Sequence, residues 1–115
     1  MRIDFSKFNK FKVKYIKSLS ESVLLKDLCY EVWIFGSTVN GASLKQHTVF
    51  SDIDIAIFPK NKDLRSKDVR KISEEIRSIL NKTDDKIRYV KRDIIWILDD
   101  DDYMLNEVKK GVRII

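Results

Sequence analysis

Ser51-Asp52-Ile53-Asp54-Ile55-Ala56-Ile57-Phe58-Pro59 places two carboxylates inside a short, β-branched apolar run closed by a proline. Such a run reads as a strand over Ile53–Phe58. Successive strand side chains point to opposite faces, so Asp52 and Asp54 share one face with Cα atoms roughly 7 Å apart. Ile53, Ile55 and Ile57 take the other face and mark the core. Two carboxylates that close repel each other, and the arrangement costs free energy unless something positive lies between them. A hard divalent cation, which prefers oxygen ligands, is the natural candidate. A D-x-D pair alone is common and marks strand starts and turns as readily as metal sites.

The stretch upstream strengthens the reading. Tyr30-Glu31-Val32-Trp33-Ile34-Phe35 is a second aromatic and β-branched run, and it breaks at Gly36-Ser37. This predicts a strand feeding a tight turn and then a helix start. A helix N-terminus offers free N–H groups and the positive end of a dipole, which suits a phosphate. Gly36 lets the backbone come close to such a ligand, and the Ser37 hydroxyl can cap the helix or bind a phosphate oxygen. Thr38-Val39-Asn40-Gly41 reads as about one helical turn ended by Gly41. In the connection from Ala42 to Phe50, Lys45 and His47 are possible phosphate contacts, although a lone histidine on an exposed loop is the simpler reading of His47.

Further along, Ile87 to Leu98 reads as another strand, interrupted by Asp93. Alternation puts Asp93 on the face of Ile95 and Ile97, opposite Arg92 and Trp96. A carboxylate in such a run is costly to bury unless paired or metal-bound.

Taken together, Gly36-Ser37, Gly41 and Ser51-Asp52-Ile53-Asp54, followed by an acidic strand, resemble the DNA polymerase beta-like nucleotidyltransferases, and within them the small single-domain group called minimal nucleotidyltransferases. The resemblance spans nearly the whole chain. It implies an α/β fold: a small mixed β-sheet with helices mainly on one face, in one domain over 1–115, with an N-terminal helical region over 1–29 and a catalytic core over 30–115. It implies Asp52, Asp54 and Asp93 as catalytic residues and ligands of Mg²⁺ (or Mn²⁺), and Gly36, Ser37 and Ser51 as nucleotide-binding residues. Asn40 departs from the pattern, since many relatives carry a basic residue near that position. The implied reaction transfers a nucleoside monophosphate, AMP from ATP, to a hydroxyl. Minimal members pair with small helical HEPN proteins as antitoxins, which makes a tyrosine of such a toxin the expected acceptor and a homo- or hetero-oligomer the expected assembly. The alternatives are a non-catalytic antitoxin that masks its partner, and a basic nucleic-acid-binding module.

Composition bounds these classes. The 115 residues suffice for one compact domain. No stretch is long and apolar enough to span a bilayer, and no signal-peptide pattern opens the chain. Cys29 is the single cysteine, so no internal disulfide forms, and a reducing cytoplasm is the expected location. The net charge of +5 is explained by a lysine-rich solvated surface without a nucleic-acid partner.

Apolar residues at Phe8, Phe11, Tyr15, Leu19 and Val23 predict an amphipathic helix within Phe5–Leu28, with Lys7, Lys10, Lys14 and Lys17 largely outside it and a second short piece over Glu21–Leu28. Val69, Ile72, Ile76, Ile79 and Leu80 predict a helix with Ser66 as N-cap. Asp99–Asp102 reads as an exposed acidic loop before a short helix ended by Lys109, Lys110 and Gly111. The apolar tail from Val112 adds a final strand or docks a partner.

Overall fold

The computed structural model describes residues 2–81 and 90–115. Its elements run α1 (Val13–Ser20), α2 (Val23–Leu28), β1 (Cys29–Phe35), β2 (Ile53–Pro59), α3 (Lys67–Asn81), β3 (Arg92–Trp96), α4 (Leu105–Lys109) and β4 (Val112–Arg113), with single 3₁₀ turns at Phe5–Lys7 and Gly36–Thr38. The four strands form one mixed sheet in the order β3-β2-β1-β4. β1 pairs antiparallel with β2 and β4, and β2 pairs parallel with β3. The crossover from β2 to β3 runs through α3, as a parallel pair requires.

Alternation along the strands builds two cores. Val32, Ile34, Ile53, Ile55 and Ile57 face Tyr15, Ile16, Leu19 and Leu25 from α1 and α2 and Ile72, Ile76 and Leu80 from α3. The other face carries a smaller cluster of Phe35, Ala56, Ile97 and Val108, with Trp33, Phe58, Met104 and Leu105 packed against it. α4 covers only this second patch. Its Lys109 ammonium lies 4.5 Å from the Trp33 ring centroid and 5.5 Å from that of Phe58. The helices therefore stand mainly on one face, as expected.

α3 follows its stripe, and Ser66 accepts the Val69 N–H at 3.2 Å as its cap. The N-terminal segment yields the expected second short piece as α2 but departs from expectation in that its first helix begins only at Val13. It is broken twice, by a turn after Phe8 and again at Glu21–Ser22, where Ser22 caps α2 by accepting from the Leu25 N–H. Each break resets the helical phase, so Phe11 (43% exposed) and Val23 (80% exposed) leave the core. Lys12 takes the vacated register and is buried at 1% exposure.

The tail adds the edge strand β4, with Ile114 donating to and Ile115 accepting from the Val32 backbone. Gly111 does follow α4, but its φ is not positive. It is needed for another reason: a Cβ there would overlap the Ile34 carbonyl and lie 2.8 Å from Phe35. The strand expected from Ile87 begins, as described, at Arg92, and residues 87–89 lie outside the described chain. Among the described residues no helix is long and apolar enough to cross a membrane.

Candidate active site

The parallel ladder between β2 and β3 sets Asp54 directly beside Asp93. In-register neighbours on adjacent strands point to the same side of a sheet. Asp52, two residues before Asp54, shares that side. All three carboxylates line one cleft of about 500 Å³, with Gly36, Ser37, Lys45, Phe50 and Ser51 around them. The cleft opens on the face that α4 covers only farther along, so these side chains meet solvent.

The charges feel one another. Asp54 is half-buried, and its carboxyl is pushed up to about 6, first by burial, then by Asp93 and Asp52, with Lys45 opposing. Among the described residues no three acidic, histidine or cysteine side chains form a ready-made metal cage. The donor set is nonetheless all carboxylate oxygen, the chemistry a hard cation selects, and the negative field around Asp54 is the one such a cation relieves.

Gly36 is required where it stands. Its φ is +70°, and a Cβ would overlap Asp54 Oδ2 and lie 3.1 Å from Asp54 Cγ. The backbone at the end of β1 thus rests against the carboxylate. The helix expected after Gly36 is only one 3₁₀ turn, because Val39 turns extended and bridges to Phe8. A dipole-based phosphate seat is thereby removed, and what remains is a bare turn with the Ser37 hydroxyl at the cleft wall. Asn40 faces away from the cleft. Its side-chain amide donates to the carbonyls of Ser6 and Phe8 at 3.1 and 3.2 Å, tying down the N-terminal segment.

The loop over 42–52 is held from within by two polar residues. Lys12 Nζ donates to the Val49 carbonyl at 2.9 Å and to that of Thr48 at 3.3 Å. Burial lowers its pKa, while nearby Asp52 raises it. His47 is not the exposed loop histidine expected; it is buried, with Nδ1 2.9 Å from Ser37 Oγ. Burial is affordable there because the loop folds its inner side onto Ser37 and Lys12. Ser51 lines the cleft, yet its hydroxyl oxygen already accepts from the Thr48 N–H at 2.9 Å.

Sequence reasoning passed over Lys12. One signal was present: Lys12 lies three residues before Tyr15 and four before Ile16, in line with the buried stripe of α1. His47 had no comparable signal, since a loop has no period to place it.

No curated protein and no solved structure matches the chain significantly. The family model described as polymerase beta, nucleotidyltransferase, matches residues 8–114. That match spans every strand and helix described above, including the turn, both D-x-D carboxylates and Asp93, and on it the chain belongs to the polymerase beta nucleotidyltransferase family.

Proposed function

We propose that this chain is a divalent-metal-dependent nucleotidyltransferase that moves AMP from ATP to a protein hydroxyl, a tyrosine of a small helical HEPN-type partner for which it is the antitoxin. The observation that carries the reading is the in-register pair Asp54–Asp93, flanked by Asp52 and backed by Gly36 and Ser37 in one open cleft.

In this reading Asp52, Asp54 and Asp93 hold Mg²⁺ or Mn²⁺. Bound there, the cation supplies charge neutralisation for the triphosphate and lowers the acceptor's pKa. Gly36 and Ser37 hold the terminal phosphates, and Lys45 on the loop adds positive charge. The acceptor oxygen bonds to the α-phosphorus as the bond to pyrophosphate breaks, and the hydroxyl proton passes to Asp93 on the exposed edge strand. The protein's share is positioning and electrostatic stabilisation. Phe50, 76% exposed at the cleft wall, offers the acceptor an apolar contact.

The test is transfer of label from α-labelled ATP in Mg²⁺ or Mn²⁺ to the product of the neighbouring gene. Transfer that is lost in Asp54→Ala and in Asp93→Ala is the expected result. A complex that forms in wild type, Asp52→Ala and Asp54→Ala alike, with no transfer by any of them, means masking without catalysis. Binding of nucleic acid that falls steeply with salt and ignores Mg²⁺ and ATP favours the basic-module reading.

A further inference from the structure

The His47 ring is buried, its Nδ1 is 2.9 Å from Ser37 Oγ, and its Nε2 is buried with no hydrogen-bond partner among the described residues. A neutral imidazole carries one N–H. Were that proton on Nε2, a buried donor would be left unpaired, and orphaned buried N–H groups are rarer than under-satisfied acceptors. A second proton is opposed by burial and by the charges of Lys12 and Lys45. The proton therefore belongs on Nδ1, and Ser37 Oγ accepts from it. A hydroxyl that accepts through a lone pair keeps its own O–H to give. Ser37 lines the cleft, so that O–H is free to point into it. With the opposite tautomer, Ser37 would spend its proton on the ring and meet an anion with lone pairs.

We propose that His47 is a positioning residue whose Nδ1–H fixes the Ser37 hydroxyl as a hydrogen-bond donor to a phosphate oxygen of the bound triphosphate. The proposal rests on the nucleotide-site reading above. The ring acts through Ser37 and does not itself touch the ligand.

His47 is the chain's single histidine, so ¹⁵N-labelled histidine gives one imidazole to read by NMR. The expected signal at neutral pH is a protonated Nδ1 and an unprotonated Nε2; the reverse overturns the proposal. Calorimetric titration with Mg²⁺-ATP and with inorganic tripolyphosphate is the second arm. His47→Phe, which removes the donor, binds both about tenfold more weakly. His47→Asn keeps an N–H near the Nδ1 position and stays close to wild type. Ser37→Ala loses as much as His47→Phe, and the double variant loses no more than either, because the two act as one unit. Wild-type affinity in His47→Phe, or equal losses in His47→Asn and His47→Phe, overturns the proposal while the nucleotide site stands. Wild type that binds neither ligand takes down the nucleotide-site reading as well, so the two failures are distinct. Where His47→Phe does not fold, the ring signal and the Asn variant still decide.

Discussion

The two faces of the sheet are made by the same strands and obey opposite rules. On one, Ile53, Ile55 and Ile57 are sealed beneath α1, α2 and α3 with no exposed surface. On the other, Asp52, Asp54 and Asp93 stand at an end that α4 leaves open. The closed face contributes the apolar burial that holds the fold. The open face spends some of that stability by keeping like charges together, with Asp54 the one that feels it most. A strand of period two lets one segment do both, since neighbours in sequence never share a face.

The sharpest way to break this contrast is to change adjacent residues. Ile55→Ala opens a cavity in the closed core and is expected to cost about 2–5 kcal/mol in urea denaturation, with nucleotidyl transfer per folded molecule preserved. Asp54→Ala is expected to reduce transfer by about 10²- to 10³-fold while leaving the urea midpoint equal or higher, because a repelled carboxylate is gone. If Asp54→Ala instead unfolds the chain, the carboxylate is structural and the division between faces fails.

Gly36→Ala tests where the two rules meet. The left-handed backbone costs a residue with a Cβ about 1–2 kcal/mol, and the new methyl displaces the Asp54 carboxylate. Displacement on the ångström scale is expected to lower transfer by about 10²-fold, a loss larger than the change in stability explains. Parallel measurement of thermal midpoint and initial rate checks it.

What the sequence carried and what it did not follow the same division. Periodicity placed Ile53, Ile55 and Ile57 opposite Asp52 and Asp54, and Asp93 with Ile95, because each side chain's face follows from its position in the strand. It also placed Val69, Ile72, Ile76 and Leu80 along α3. It could not show that β2 and β3 pair with Asp54 beside Asp93, since register is set by the packing of α3 and the whole sheet. It misjudged Phe11 and Val23 because one apolar stripe was carried from Phe8 to Val23 across two turns that reset the phase. The helix after Gly36 failed for a nonlocal reason: Val39 is drawn into a bridge with Phe8, thirty-one positions earlier in the chain. Lys12 escaped notice because polar residues are expected outside, and its burial depends on carbonyls brought by a distant loop. His47, named as a phosphate contact but read as exposed, is buried because its loop folds back onto the Ser37 hydroxyl.

Titration probes the open face more gently. The Asp54 carboxyl moves from 3.8 to about 6 in the folded chain. The folded state then binds more protons than the unfolded one across that window, so stability falls as pH rises through it. This slope is expected to flatten in Asp54→Asn. Near neutral pH, Mg²⁺ is expected to raise the thermal midpoint of wild type, and to do so much less below 3.8, where the proton occupies Asp54 in its place. A wild-type midpoint indifferent to Mg²⁺ near neutral pH counts against the three carboxylates as a cation site.

The smallest expected effect lies wholly on the closed face. Ser22 Oγ accepts from the Leu25 N–H at 3.2 Å and donates to Glu75 Oε2 at 2.7 Å, so one hydroxyl both caps α2 and ties it to α3. Ser22→Ala is expected to cost about 1 kcal/mol, the usual worth of an N-cap, read as a lower urea midpoint. Ser22→Asp restores an acceptor for the cap but sets a carboxylate against Glu75, so it recovers little of that loss. Glu75→Gln added to Ser22→Asp removes the repulsion and returns more of it. The flattening of the pH slope produced by Asp54→Asn should be the same with Ser22→Ala as without it, since the sheet lies between the two sites; a changed flattening would mean that the two faces are mechanically coupled through β2.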